Sequence, residues 1–221
     1  MDKIVIKKDQ VQPLHETRFI SLYDLQYKEG VHYFDASRHK REDLTALKTD
    51  EEFKAMTADA ATIMLVVKTP KEEPRLYLQY EYRYPTGQFL LSPPAGLLDP
   101  EDREEAEPLK VATIREIKEE TGIDVKETDT FKVLNPLVFS TPGMTDESNA
   151  LTLAYVTLSD LSSLTTDGAV GTECFDGYQL LTKAEAADIL KAGRDPKGIY
   201  YSAYTQIVLL YFVSGLWENE S

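Results

Sequence analysis

Three glutamates in one short stretch, Glu116, Glu119 and Glu120, could share one chemical task. On an α-helix Glu116 and Glu120 are four positions apart and Glu119 is three from Glu116, so all three carboxylates crowd one face. Such like charges repel one another unless cations are nearby, and divalent cations that prefer oxygen ligands are the obvious partners. Solvated acidic helix faces have the same spacing, so spacing alone leaves both interpretations open.

The stretch that carries these glutamates is predicted to be one amphipathic helix over residues 107–121. It contains no glycine, and its single proline, Pro108, falls at the first helical position, where the missing N–H is tolerated. Gly122 follows the last turn, as is typical of a helix C-terminus. Ile117 turns toward the core, and Arg115 supplies a nearby cation.

Apolar and alternating runs predict β-strands on both sides of this helix. The predicted strands are 62–67, 76–82, 88–91, 131–134, 150–158 and 177–181. Near the N-terminus, residues 18–38 predict an antiparallel hairpin, and residues 49–52 resemble a capping box that opens a short helix through Met56. Two more helices are predicted at 183–191 and about 201–217. This order predicts an α/β fold with a mixed sheet.

The composition limits the class of protein. With 24 Lys and Arg against 38 Asp and Glu, the formal charge of -14 disfavours a protein that binds nucleic acid through the phosphate backbone. The single cysteine, Cys174, excludes a disulfide framework and a cysteine-based zinc cluster. The N-terminal residues do not resemble a secretory signal, and the longest apolar run, 207–213, is too short for a membrane span of ~20 residues. We therefore expect a cytoplasmic protein without a membrane segment.

The residues from Glu107 to Ile123 resemble the Nudix box, Gly-x5-Glu-x7-Arg-Glu-U-x-Glu-Glu-x-Gly-U, where U is aliphatic. Every fixed residue from Glu107 to Gly122 is present. The resemblance implies a Nudix-type α/β/α sandwich with a mixed sheet and a small N-terminal β-hairpin subdomain. Residues 1–58 would form the hairpin and an insertion, and residues 59–221 would form the Nudix hydrolase domain.

The resemblance also implies metal-assisted hydrolysis. Mg²⁺, or Mn²⁺ in its place, would be held by Glu116, Glu119, Glu120 and the carbonyl of Ala95, and would lower the pKa of an attacking water. Arg115 would hold a carboxylate in its orientation, with a plain surface salt bridge as the alternative.

One departure from the pattern lies between Gly96 and Glu107, where ten residues stand in place of five. Residues 99–102 are the expected excess, which lengthens the loop before the helix. Glu107 is expected to support the start of the helix, where the helix dipole favours a carboxylate.

The flanks of the box resemble ADP-ribose pyrophosphatases. Residues 82–96 resemble the strand and loop that lead into the box in those enzymes, and residues 141–147 resemble their substrate loop. The expected substrate is ADP-ribose or a related nucleoside diphosphate sugar, cleaved to AMP and a sugar phosphate. Arg83 could contact it or could pair with Glu81 on the same strand. The other candidate substrate contacts are Gly143, Met144 and Glu147.

In the enzymes that this chain resembles, a general base comes from an acidic residue on a mobile loop before the penultimate strand. Glu173 lies in the matching region, and Gly168 and Gly171 are expected to give the loop freedom to close. Asp167 or Asp176 could serve instead, and Glu173 could also be a solvated loop acid.

The N-terminal hairpin has apolar residues on both faces between Phe19 and Phe34, although a two-stranded ribbon can bury only one face on its own domain. ADP-ribose pyrophosphatases pair their N-terminal strands with a second subunit, so the resemblance implies a homodimer. Tyr27, Tyr33 and Phe34 could stack on adenine or belong to the core.

Two other functions are compatible with this sequence. A Nudix hydrolase could act on another nucleoside diphosphate derivative, such as a dinucleotide, NADH or a different nucleotide sugar. A noncatalytic sensor could bind an ADP-ribose-type ligand, although it would not need the full set of acidic residues.

Overall fold

The computed structural model describes residues 3–166, 168–169 and 171–218, and the chain divides into two compact units. The first unit contains the residues up to Asp59 together with Leu137–Asn149, and the second contains Ala60–Pro136 and the chain from Ala150 onward. The sequence suggested a division after residue 58 and left 137–149 in the larger domain. That segment belongs to the first unit because strand residues of the N-terminal part hydrogen-bond to it, for example Ala36 N–H to the Met144 carbonyl at 2.9 Å.

The first unit contains a small antiparallel sheet. Its strands, in the order β1-β2-β3, are β1 (Val11–Glu16), β2 (Ser21–Leu25) and β3 (Phe34–Ser37). The predicted hairpin corresponds to β2 and β3, whose register places Ser21 opposite Ser37. Gly30, with φ of 68°, allows the turn between them. β1 was not predicted, and it extends the hairpin to three strands.

The remainder of the first unit covers one face of this sheet. Val11, Tyr23, Leu25 and Leu44 form its small buried core. The helix α1 (Asp50–Lys54) begins at the predicted capping box, in which the Thr49 hydroxyl accepts from the Glu52 backbone and the Glu52 carboxylate accepts from the Thr49 N–H.

The larger sheet has seven strands. They are β4 (Ala60–Lys68), β5 (Arg75–Arg83), β6 (Gln88–Ser92), β7 (Ala95–Leu97), β8 (Thr130–Phe139), β9 (Ser148–Thr157) and β10 (Phe175–Leu181). The order is β10-β5-β4-β9-β8, while β6 pairs with β5 and β7 pairs with β4. Residues 137–139 of β8 and 148–149 of β9 belong to the first unit. The helices are α2 (Pro100–Arg103), α3 (Pro108–Thr121), α4 (Lys183–Ala192) and α5 (Ala203–Ser214).

Strand β4 is buried on both faces, which explains its continuous apolar run. Side chains alternate along a strand, so Ile63 and Leu65 face the cluster that contains Ile117 of α3. Met64 and Val66 face the opposite cluster, which contains residues of α4 and α5. The second unit therefore has helices on both faces of a mixed sheet, which confirms the predicted α/β fold class.

The predicted helix 107–121 is confirmed as α3, with Pro108 at its first position and Gly122 in the left-handed conformation at φ of 75°. The last helix is shorter than predicted, because Gly215 adopts φ of 72° directly after Ser214. None of the helices in the described ranges combines the length and hydrophobicity that a membrane span requires.

A partly buried histidine joins distant parts of the first unit. His39 Nε2 lies 2.8 Å from the Asp59 carboxylate, and His39 Nδ1 lies 3.0 Å from that of Asp146. Hydrogen bonds to Asp146 and to Asp59 raise the pKa of His39 to about 10. Burial alone would raise the pKa of Asp146, but hydrogen bonds, including that from His39, lower it to about 2. The protonated histidine therefore stabilises the fold as a cation between two carboxylates.

We predict that His39→Gln lowers the melting temperature by about 6–12 °C at pH 6, because removing one partner of a largely desolvated ion pair costs about 3 kcal/mol. The raised pKa makes the His39 contribution complete below its ordinary value of 6.5 and progressively smaller up to about 10. Thermal unfolding of wild type and variant at each pH would measure this difference.

The matched control is His15→Gln, because His15 is an exposed residue of the same unit. Groups that both proteins share titrate equally and cancel in the comparison. A difference in melting temperature between wild type and His39→Gln that stays constant from pH 6 to pH 10 would contradict the role of His39 as a cation between Asp59 and Asp146.

Candidate active site

Helix α3 buries two of its three glutamates. Glu116 is 6% exposed and Glu120 is 2% exposed, because their face of the helix packs against the sheet. Glu119 lies at the edge of that face, and 41% of its side chain is accessible. The acidic face is therefore not a solvated one, which removes the simpler interpretation of the spacing.

Arg115 contacts two of these carboxylates. Its Nη1 donates to Glu116 Oε1 at 2.7 Å and to Glu119 Oε2 at 3.3 Å. Its Nη2 donates to the Leu97 carbonyl at 3.0 Å. The guanidinium thus links α3 to the end of β7, and it is not a plain surface salt bridge.

The Arg115 guanidinium has another partner that the sequence interpretation missed. Asp102, in the helical turn α2, accepts from Arg115 Nη2 at 2.8 Å and is 4% exposed. Asp102 is therefore buried against the helix, while residues 99–101 of the expected excess are exposed. Glu107, by contrast, has a side chain 66% exposed and pairs with Lys110 at 3.2 Å.

Gln79 is a second residue that was missed. It lies on β5 with no exposed surface, and its Nε2 donates to Glu120 Oε2 at 2.8 Å. The Tyr77 hydroxyl donates to Gln79 Oε1 at 3.3 Å, so the amide is held from both sides. An available signal was the strand period of two, which places Gln79 on the same face as Tyr77, toward α3. A polar residue at a buried position of an apolar strand needs a partner.

Burial of like charges changes the acidity of these groups. Burial is the largest effect on Glu116, and with Glu119 and Glu173 it outweighs Arg115 and raises the pKa to about 7. Burial raises the pKa of Glu120 well above its usual range despite the Gln79 hydrogen bond, and nearby acids including Glu81 add to the effect. A cation at this position would relieve the repulsion.

The residues suit a divalent cation in their chemistry. All candidate ligands are oxygen donors, which Mg²⁺ and Mn²⁺ prefer. Gly96 leaves room for the Glu116 carboxylate, since a Cβ built on Gly96 would lie 1.8 Å from Oε1. The Ala95 N–H points at Glu120 Oε2 at 3.3 Å, and ligation by the Ala95 carbonyl stays a prediction.

Within the described residues, no three acidic, histidine or cysteine side chains are already grouped as a metal site. The carboxylates of the acidic face are instead hydrogen-bonded to other side chains. Arg115 holds Glu116, and Gln79 holds Glu120. The set therefore fits a cation in charge and donor type while its carboxylates are engaged by neighbouring side chains.

The segment that carries Glu173 is fastened to β5 and the turn after it. Tyr82 N–H donates to the Cys174 carbonyl at 2.8 Å, and the Tyr84 hydroxyl donates to the Thr172 carbonyl at 3.2 Å. Glu173 lies between these two anchors. Its charge contributes to the raised pKa of Glu116, and likewise to those of Glu81 and Glu120.

Of the two alternative bases, Asp176 is engaged elsewhere. Asp176 pairs with Lys197 at 2.8 Å. Asp167 lies outside the described residues. Glu173 is thus favoured over Asp176, and its role as the general base stays a prediction.

The glycines of this segment do not have the same role. A Cβ on Gly168 would lie 1.6 Å from the Glu119 carbonyl oxygen, so glycine is required there for close approach to α3. Gly171 has φ of 65° and open space around it, and it serves a turn. The expectation that Gly168 supplies freedom to close is replaced by a packing role.

The candidate substrate contacts lie in different environments. Arg83 pairs with Glu81 at 2.5 Å on β5 in the second unit, as the alternative interpretation expected. The candidates of the first unit are tied to its own side chains: the Gly143 carbonyl accepts from Tyr33 at 3.0 Å, and Glu147 pairs with Arg38 at 2.7 Å. Their roles toward a substrate stay predictions, as does that of Met144.

The chain is similar to known proteins over most of its length. The family model of the NUDIX domain matches residues 56–201. An ADP-ribose pyrophosphatase of Saccharomyces cerevisiae is 28% identical over 159 residues, which is 72% of this chain and 62% of that protein. Putative nudix hydrolase 2 of Caenorhabditis elegans is 34% identical over 105 residues, which is 47% of this chain and 43% of that protein. The chain thus spans less than two thirds of either relative.

A solved structure has the same fold. The crystal structure of an ADP compounds hydrolase aligns with a TM-score of 0.57 at 19% sequence identity, covering 96% of this chain and 93% of that chain. At this identity the likeness shows the fold alone.

We predict that Glu120→Gln lowers turnover by at least ~100-fold at saturating Mg²⁺ without unfolding the protein, because it removes one buried carboxylate but keeps its shape. Mg²⁺ should also raise the melting temperature of the wild type more than that of the variant, because ligand binding stabilises the state that binds it.

The matched control is Glu107→Gln, which removes an exposed carboxylate near the start of the same helix. Equal Mg²⁺-induced shifts in wild type and Glu120→Gln would contradict the assignment of the acidic face.

Proposed function

Because the chain belongs to the Nudix family, we propose that it is a Mg²⁺-dependent hydrolase that cleaves the diphosphate of ADP-ribose or a related nucleoside diphosphate sugar. The products would be AMP and a sugar phosphate. Mn²⁺ could replace Mg²⁺, since both take oxygen ligands in similar geometry. The similarity to the yeast ADP-ribose pyrophosphatase supports this choice of substrate class.

One observation carries the proposal: α3 buries Glu116 and Glu120 on the face where Arg115 and Gln79 hold them. Burying two acids together costs stability, and a fold retains such an arrangement where the acids have a task. A noncatalytic ligand sensor would not require the complete set.

Each residue then has a distinct role. Glu116, Glu119, Glu120 and the Ala95 carbonyl would hold the cation, which when bound would offset charge on the diphosphate and lower the pKa of water. Arg115 keeps Glu116 and Glu119 in their orientation through Nη1.

Proton transfer is assigned to a different segment of the chain. The Glu173 carboxylate would accept the proton of the attacking water. Its charge contributes to the raised pKa values of Glu116 and Glu120, which supports this choice. The hydrogen bonds to Thr172 and Cys174 would hold it in place.

The test is a panel of nucleoside diphosphate compounds with Mg²⁺ or with EDTA, followed for released AMP. It should contain ADP-ribose, two other nucleotide sugars, a dinucleotide and NADH. We expect Mg²⁺-dependent release of AMP and ribose 5-phosphate from ADP-ribose. The double variant Glu116→Gln/Glu120→Gln controls for contaminating hydrolases.

The other outcomes distinguish the alternatives. Faster cleavage of NADH, a dinucleotide or another nucleotide sugar would move the activity to that substrate. Binding of ADP-ribose without cleavage, at any Mg²⁺ concentration, would favour the sensor and overturn the proposal.

We predict that Glu173→Gln lowers kcat by about 100-fold while KM changes less than about threefold, because a general base acts mainly in the transition state. Steady-state kinetics on the best substrate of the panel would measure both constants. Asp176→Asn is the matched control, because Asp176 is an acid of the same segment that pairs with Lys197. If Asp176→Asn gives the larger loss in kcat, the base is not Glu173.

We also propose a homodimer formed through the first unit. Several apolar side chains of that unit are exposed, namely Leu14, Phe19, Ile20, Leu22 and Phe34. Exposed apolar side chains concentrated in one small unit support a protein interface there. A two-fold dimer would cover it with a single self-complementary surface.

Sedimentation at micromolar concentration should give twice the chain mass of 25.0 kDa. The double variant Phe19→Ser/Leu22→Ser should shift the protein toward the monomer, since it removes exposed apolar area that only a partner would bury. Leu216→Ser, an exposed apolar residue of the second unit, is the control. A wild-type species of 25 kDa that is fully active would refute the dimer.

A further inference from the structure

We propose that Asp102 is a positioning residue for the acidic face and acts through Arg115, so that Asp102, and not Glu107, is the acid of the box that precedes the helix. This inference rests on the proposed function and extends it to a residue of the inserted segment. It follows from the contacts of the two acids and from their spacing to Gly96.

Asp102 is built into its position. It is 4% exposed and ends the first turn of α2, whose N-terminal residue is Pro100. Asp99 N–H donates to Asp102 Oδ2 at 3.0 Å, and Arg115 Nη2 donates to the same oxygen at 2.8 Å. Burial alone would raise the pKa of Asp102, but these contacts hold it below its usual value. The side chain is therefore a carboxylate at neutral pH.

Asp102 determines which way the Arg115 guanidinium points. Nη2 is occupied by Asp102 at 2.8 Å and by the Leu97 carbonyl at 3.0 Å, while the exposed Asp99 carboxylate lies farther away at 3.4 Å. The other amino group, Nη1, is then directed at Glu116 and Glu119. Because the guanidinium is planar and rigid, fixing one of its ends fixes the other. Without Asp102, the Nη2 end of the guanidinium would be held more weakly, and Arg115 could rotate away from Glu116.

Glu107 has none of these contacts. Its side chain is 66% exposed and pairs with Lys110. It also makes no side-chain hydrogen bond as the residue that caps α3. Exposed pairs of this kind contribute little, about 0–1 kcal/mol. Glu107 therefore matches the motif by its distance from Arg115 along the chain but not by its position in space.

The spacing agrees with the geometry. Five residues separate Gly96 from Asp102, the same number that the Nudix box places between its glycine and its first acid. The extra five residues then lie at 103–107, after the acid and before the helix. The loop between Gly96 and Asp102 keeps the length of the pattern, and aspartate, shorter by one methylene, takes the place of glutamate.

The experiment compares Asp102→Asn with Glu107→Gln, which removes the other candidate acid. We expect Asp102→Asn to lower kcat by about 10–100-fold and to raise the Mg²⁺ concentration required for half of the Mg²⁺-induced rise in melting temperature, measured without substrate. Glu107→Gln should match the wild type in both. Asp102→Glu should recover most of the activity, because it restores the charge.

A double-mutant cycle with Arg115→Gln tests the route of action. If Asp102 acts through Arg115, adding Asp102→Asn to Arg115→Gln should cause less than a twofold further loss. Full additivity would overturn the inference, as would Asp102→Asn with wild-type kinetics in an active protein. If Asp102→Asn does not fold, failure of Asp102→Glu to recover activity and Mg²⁺ response would overturn it instead. A wild type inactive on the whole panel would count against the proposed function, while the Mg²⁺ melting shifts would still test the role of Asp102.

Discussion

Negative charge buried on one face of α3 is the constraint on which the second unit depends. Glu116 and Glu120 are taken out of water, and burial contributes most to the raised pKa of each; the charge of Glu116 adds to the shift of Glu120. An uncompensated arrangement of this kind would cost several kcal/mol. The neighbouring elements therefore supply donors: Arg115 from the helix itself, Gln79 from β5 and the Ala95 N–H from β7.

The sheet provides these donors through its simplest property, the alternation of side chains. On β5, Tyr77 joins the cluster beneath α3, and Leu76 and Leu78 join the opposite cluster. Gln79 and Glu81 continue the first series, so the strand changes from apolar to polar along the same face. The apolar end anchors α3 and the polar end receives its carboxylates. A shift of register by one residue would exchange these faces, so that β5 would neither anchor α3 nor contact its carboxylates.

The sequence predicted the elements whose signals are local. Pro108 and Gly122 define α3, and the apolar run of β4 requires burial on both faces. β7 was missed because three residues of Ala-Gly-Leu carry no periodicity, and its existence depends on pairing with β4. The roles of Asp102 and Gln79 were missed for a related reason. Motif matching counts positions along the chain, while the Arg115 side chain selects the acid that lies within reach in space.

The described residues of the segment before β10 are held by contacts without forming secondary structure. Gly168 lies against the Glu119 carbonyl, and Gly122 leaves space for Ser163 and Thr165 at the end of α3. Any larger residue at Gly168 would push the backbone away from the helix. On the other side of Glu173, the hydrogen bonds of Tyr82 and Tyr84 join the segment to β5 and the turn that follows it. The described residues on both sides of Glu173 are therefore held by the two elements that carry the acidic face and its donors, and the packing of α3 against β5 bears on the position of Glu173 as well as on that of Glu116.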